Sequence, residues 1–225
     1  MKKALLFLLS LAVLVSISAC ATSSSDSGAE NNETDPYWIA AQAFRKISMN
    51  EENSDVDPQT VVGYYHDTPI TKDHVAYRQA MNKVNQSAEE SEEEIVFSIA
   101  KDLYVLEQAK ELGFYPSEKE IENFFAEEDK SFEKNLEENL DFCAETGLTR
   151  EEAIAWSIQT KTESMAKGRF LSHVLQSLTE AETIDDEILA ELVQTLSENY
   201  QIETVQKIYD RYLTLQVQEE VLFRE

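Results

Sequence analysis

Residues 91–125 read SEEEIVFSIAKDLYVLEQAKELGFYPSEKEIENFF, and the fold class is decided there. Ile95, Ile99, Leu103 and Leu106 recur at steps of four, four and three, and Val96, Ala100, Ala109 and Leu112 widen the stripe. That period belongs to an amphipathic helix with one broad face turned to a core. Gly113 ends it, because glycine enters the left-handed terminal conformation without a Cβ clash, and Pro116 stands just beyond. Ser117, with Glu120 three residues later, makes a capping box that opens a second helix. Ile121, Phe124, Phe125 and Phe132 supply its apolar face. So short a link makes the two helices fold back on each other or cross steeply.

The same grammar runs outward in both directions. Leu136, Leu140 and Cys143 share a register that predicts a buried helical face stopped by Gly147. Thr149 with Glu152 is a second capping box, launching a long helix through Ile154, Ile158, Met165, Ala166, Phe170, Val174 and Leu178. Gly168 inside that helix costs about 1 kcal/mol relative to alanine, which suits a place where another helix approaches closely. The acidic stretch 180–186 bends the path, and Thr183 or Asp186 caps a helix holding Ile188, Leu189, Leu192, Val193 and Leu196. In 201–225, Val205, Ile208, Tyr209, Tyr212 and Leu215 favour a helix over the strand-like alternation of Leu213, Leu215 and Val217.

Toward the N-terminus, Asp35-Pro36 is a cap and first turn for a short helix with Ile39, Ala43 and Ile47. Residues 60–71, TVVGYYHDTPIT, are β-branched and aromatic with a turn near Asp67-Thr68. Thr71 then caps a helix carrying Tyr77, Ala80, Met81 and Val84. The predicted fold is mainly α, an irregular multi-helix domain with one short extended segment or hairpin near residues 60–71.

Charge excludes several function classes. The 225 residues hold 19 Lys and Arg against 44 Asp and Glu, a net of −25. Such a surface repels nucleic-acid phosphates and anionic lipid head groups. It either keeps the chain soluble or favours basic partners. No Gly-rich phosphate loop, metal-ligand spacing or EF-hand is present, so no cofactor and no metal is implied. The three histidines, His66, His74 and His173, have no nucleophile elbow to serve, and no catalytic residue is assigned.

Residues 1–20, MKKALLFLLSLAVLVSISAC, have a basic start, an apolar run too short for a comfortable membrane span, and the ending Ile17-Ser18-Ala19-Cys20. That ending resembles the lipobox of bacterial lipoproteins, which implies lipidation at Cys20. Residues 21–34 are small, polar and acidic, the composition of a flexible tether. The expected division is a signal peptide over 1–19, a tether over 20–34, a helical domain over 35–180, and a C-terminal helical extension over 181–225 that packs on the body. The expected location is the outer face of a bacterial cell membrane, held by the N-terminal lipid. Cys143 is left as a single thiol and reads as a buried structural cysteine.

Four pieces in order are similar to one family. Val62-Gly63 followed by Pro69-Ile70-Thr71, the helix end Leu106 to Phe114, the cap Pro116 to Ile121, and Gly147-Leu148-Thr149-Arg150-Glu151-Glu152 resemble the N-terminal chaperone domain of the SurA/PrsA foldases. Val62 stands where that family has asparagine, and the residues after Glu180 are too few, with no Gly or His, for a parvulin domain. The resemblance implies a chaperone-like protein that binds unfolded or newly exported polypeptides; the acidic surface favours basic ones, and without a parvulin domain prolyl isomerase activity is not implied. A structural or adaptor lipoprotein docking a folded partner, or a degenerate peptidyl-prolyl isomerase, are the alternatives. Aromatic residues exceed what the helical stripes need, and they line a peptide groove or fill an aromatic core. The candidate client-binding set is Tyr64, Tyr65, Tyr77, Met81, Phe97, Tyr104, Phe124, Phe125, Trp156 and Phe170.

Overall fold

A computed structural model describes residues 34–53, 57 and 60–223. Cys20, the lipobox and most of the tether lie outside the described residues. The elements are α1 (Pro36–Asn53), β1 (Val61–Tyr65), β2 (Thr68–Thr71), α2 (Lys72–Val84), α3 (Glu92–Glu111), α4 (Glu118–Lys134), α5 (Leu136–Thr146), α6 (Arg150–Glu180), α7 (Glu187–Glu198), α8 (Ile202–Val217) and β3 (Val221–Phe223). The fold is mainly helical with a small antiparallel sheet ordered β2-β1-β3. None of the described helices is long and apolar enough to cross a membrane.

Local chemistry explains the boundaries. Asp35 Oδ1 accepts the amides of Tyr37 and Trp38 at 2.8 and 3.2 Å, which starts α1. Ser117 and Thr149 hold full capping boxes with Glu120 and Glu152, and Ser91 with Glu94 makes a third, at α3. Gly113 has φ +70°, with its own amide bonded to the Lys110 carbonyl and the Phe114 amide to that of Ala109. This double bond pattern satisfies two terminal carbonyls of α3. Gly147 ends α5 in the same left-handed region. At the start of α2 the box is unusual: the Thr71 amide donates to His74 Nδ1 at 3.1 Å, so an imidazole does the work of a carboxylate. The hairpin turns at His66-Asp67, one residue earlier than the sequence suggests, with His66 at φ +50°.

α3 is the hub. Ile95, Val96, Ile99 and Ala100 pack with Tyr65, Ile70 and Val75 under the sheet, while Val105 and Ala109 meet Ala166, Phe170 and Val174 of α6. The C-terminal segment closes the same hub: Val217 is fully buried in the sheet-side core, Tyr212 and Leu213 pack on the α3–α6 side, and Lys101 bonds Asp210 at 2.6 Å. Residues 202–217 are helical, as the longer apolar stripe predicts, but the chain then straightens, and β3 pairs with β1 in the register Gly63↔Phe223, Tyr64↔Leu222, Tyr65↔Val221. The extension is thus not helical throughout; its last described residues complete the sheet.

Two expectations are corrected. Leu136 and Leu140 are exposed, and Cys143 is half-buried, not enclosed. Asn135, at φ −116° and ψ 42°, breaks the path between α4 and α5, so a different face of α5 turns inward, with Phe142 and Thr146. Leu112, placed on the core stripe of α3, is also exposed because it sits at the helix cap.

The helix caps double as tertiary clamps. Glu152 receives Arg45 of α1 through two bonds of 2.8 and 2.9 Å, and the same guanidinium donates to the Gly147 carbonyl at 2.7 Å. Glu120 receives Arg169 of α6 at 2.7 Å, and Asp186, the cap of α7, receives Arg211 of α8. The Arg45 bond, with the Thr149 amide, holds the Glu152 carboxyl down at about 2; the Ser117 amide, with Arg169, does the same for Glu120. Carboxyls depressed in the folded state contribute stability that is complete above their ordinary value of 4.5 and is lost as pH falls toward 2. The melting temperature should therefore fall steeply between those limits, and Arg45→Gln together with Arg169→Gln should flatten that acid limb in scanning calorimetry. An unchanged slope in the double variant would remove the clamps from the stability account.

Candidate functional site

A cleft of about 460 Å³ opens between α2, α3 and α6. Phe44 and Ile47 of α1 and Tyr209 of α8 also reach it. α6 contributes a continuous stripe from Trp156 to Leu171 at steps of three and one, which is one helical face held for about 22 Å at 1.5 Å per residue. This stripe is separate from the residues Ile158, Ala166, Phe170 and Val174 that α6 buries in the core.

The lining changes along its length. At the Trp156 end the indole stacks on Phe44 with ring centroids 5.6 Å apart, and its Nε1 donates to the Tyr77 hydroxyl at 3.0 Å. Burial pushes the Tyr77 hydroxyl pKa up, so it stays protonated at neutral pH. The opposite end is aliphatic, with Leu103 and Leu106 of α3 facing Leu171. Between them lies a polar belt. Asp102 accepts Arg78 Nη1 at 3.0 Å and pairs with Lys167 Nζ at 3.2 Å, and Lys167 is also 3.8 Å from Glu163. Arg78 reaches Ser98 Oγ as well, at 2.5 Å. Two cations thus face two carboxylates, and the belt is locally neutral. His74 stands on the same wall. Its Nδ1 accepts from the Thr71 amide and burial lowers its pKa, so the ring is neutral with its proton on Nε2.

Of the ten candidate client-binding residues, Tyr77 and Trp156 line the cleft. Met81 packs behind them in the Phe44–Trp156 cluster. Tyr65 is buried under the sheet with its hydroxyl donating to Glu107, and Tyr64 lies half-buried on the outer side of the hairpin. Phe97 packs beside the sheet core with the Lys101 ammonium over its ring. Tyr104 and Phe170 meet edge to face in the α3–α6 core, and the Tyr104 hydroxyl is 3.3 Å from that of Tyr212. Phe124 lies under Lys161 on α4, and Phe125 is exposed there. The aromatic excess is therefore divided between core, sheet and cleft instead of being collected in one groove.

The sequence reading missed Leu103, Leu106, Asp102, Arg78 and Lys167 as cleft residues. Leu103 and Leu106 were legible only as core stripe, and the polar belt as solvated surface. The one available signal was Gly168, which stands on the cleft wall. No protein-family model, curated protein or solved structure matches this chain.

Proposed function

We propose that the protein holds extended segments of unfolded or newly exported polypeptides in this cleft, without catalysing a reaction on them, while a lipid on Cys20 tethers it to the outer face of the membrane. The observation that carries the reading is the open stripe of α6, apolar at both ends and polar in the middle. Apolar ends take large side chains, and a neutral belt of fixed donors and acceptors suits the backbone between them. A volume of 460 Å³ takes a few side chains of an unfolded segment and not a folded domain. The charged groups on its wall are engaged with one another, which favours holding over proton transfer. The net charge of −25 draws basic clients and keeps the loaded complex in solution. The ordered resemblance to the SurA/PrsA chaperone domain points the same way.

The direct test is aggregation of a chemically denatured client followed by light scattering. The soluble body should suppress it at near-equimolar ratio, and more strongly for a basic client than for an acidic one at low salt. No suppression and no binding of any unfolded peptide would overturn the reading. An adaptor role has one observation in its favour, the exposed Phe125, Leu136 and Leu140 on the α4–α5 arm. It predicts a complex with a folded partner that survives blocking of the cleft.

A further inference from the structure

The small sheet has two outer edges, and they are not equivalent. β2 carries Pro69, which removes a backbone donor, and it runs straight into α2. Such features protect an edge from further pairing. β3 has neither proline nor lysine, and its register with β1 is unbroken. Leu222 and Phe223 are 63% and 51% exposed, and no described strand pairs with their outer side. Leu222 also stands opposite Tyr64, which stands opposite Pro69, so a row of apolar side chains crosses the outer face of the sheet up to the open edge.

The charge around that edge selects what can occupy it. Glu219 and Glu220 immediately precede β3, and Asp67 and Glu107 lie at the same end of the sheet. His66 sits between two of these carboxylates, its Nε2 3.3 Å from Glu220 and its Nδ1 3.8 Å from Glu107. A second copy of this chain would bring its own net charge of −25 to an already acidic rim. A basic strand would meet opposite charge there.

We infer that the outer edge of β3 is a docking site for an extended polypeptide strand of alternating basic and apolar residues, which joins the sheet as its fourth strand. Backbone hydrogen bonds would supply affinity, Leu222 would meet the apolar side chains on the outer face of the sheet, and the acidic rim would set the charge preference. The site is separate from the cleft and does not depend on it.

Hydrogen–deuterium exchange on the full chain tests this with three synthetic probes: a peptide alternating lysine and valine, the same peptide N-methylated at every amide so that neither edge can donate, and one with glutamate in place of lysine. The lysine peptide should slow exchange at residues 221–223 by about tenfold or more. The N-methylated and glutamate peptides should not, and the exposed-site substitution Leu222→Lys should weaken the effect. A chain with Gly168→Leu should keep the protection, because the cleft is not involved. Equal protection by the N-methylated peptide, loss of protection in the Gly168→Leu chain, protection confined to α6, or protection that appears with protein concentration alone would each overturn the proposal.

Discussion

Gly168→Leu should weaken client binding in the cleft at least tenfold while leaving the fold intact. Gly168 is part of the cleft-lining stripe of α6, and a leucine there sends its side chain back along the helix toward Ser164, over the polar belt. A cleft of 460 Å³ that loses the volume of a large side chain at its middle has no continuous path between its aromatic and aliphatic ends. Helix propensity works in the opposite direction. Replacing an interior glycine gains about 1 kcal/mol, so the melting temperature should hold or rise. That separates blocking from unfolding. We expect at least tenfold weaker peptide binding in calorimetry, equivalent to about 1.4 kcal/mol, with Gly168→Ala intermediate. Unchanged affinity in a folded Gly168→Leu protein would move the binding surface elsewhere.

Gly63→Val should be the most destabilising single change in the sheet. A Cβ at Gly63 would lie 3.0 Å from Val96 Cγ1 and 3.1 Å from the Leu222 carbonyl oxygen. The first neighbour is a buried side chain of α3 and the second is backbone of β3, so neither yields cheaply. Overpacking of this kind costs about 3 kcal/mol at the upper end of its usual range. Strain released by lifting β3 off β1 would also show as faster exchange at residues 221–223. Urea denaturation should report the loss, with Gly63→Ala smaller in the same direction. A neutral Gly63→Val would mean that the close approach of α3 to the hairpin is not required.

These two glycines mark what was legible in the sequence. Caps and stops were, because they are local: Ser117–Glu120, Thr149–Glu152, Gly113 and Gly147 act within a few residues of themselves. The hairpin was legible for the same reason, and the helical content followed from periodicity. Partners distant in the chain were not. Nothing near Glu152 announces Arg45, and nothing in Val221-Leu222-Phe223 announces Gly63, since each pairing exists only once α3 has gathered its neighbours. The α5 register failed because a single backbone break at Asn135 rotates every later residue. The cleft failed for a third reason. Whether Leu103 is core or wall depends on a space left between helices, and periodicity records which face is apolar but not what covers it.

α3 thus has two duties. One side of α3 bears the sheet and the returning C-terminal segment, and another forms a wall of the cleft with Asp102, Leu103 and Leu106. The arginine clamps tie α1 and α4 to α6, and α8 to the start of α7. Arg78–Asp102 and Asp102–Lys167 link the cleft walls α2, α3 and α6, so the cleft is largely preformed, which limits the ordering that a client must impose on binding.

The chain contains two tryptophans, and Trp38→Phe leaves Trp156 at the aromatic end of the cleft as the single reporter. Titrating that variant with a permanently unfolded basic client should give a saturable change in Trp156 emission whose midpoint matches the midpoint for suppression of aggregation, and Gly168→Leu should remove both together. Suppression of aggregation with a silent Trp156, or an emission change that survives Gly168→Leu, would contradict the claim that the cleft holds the client.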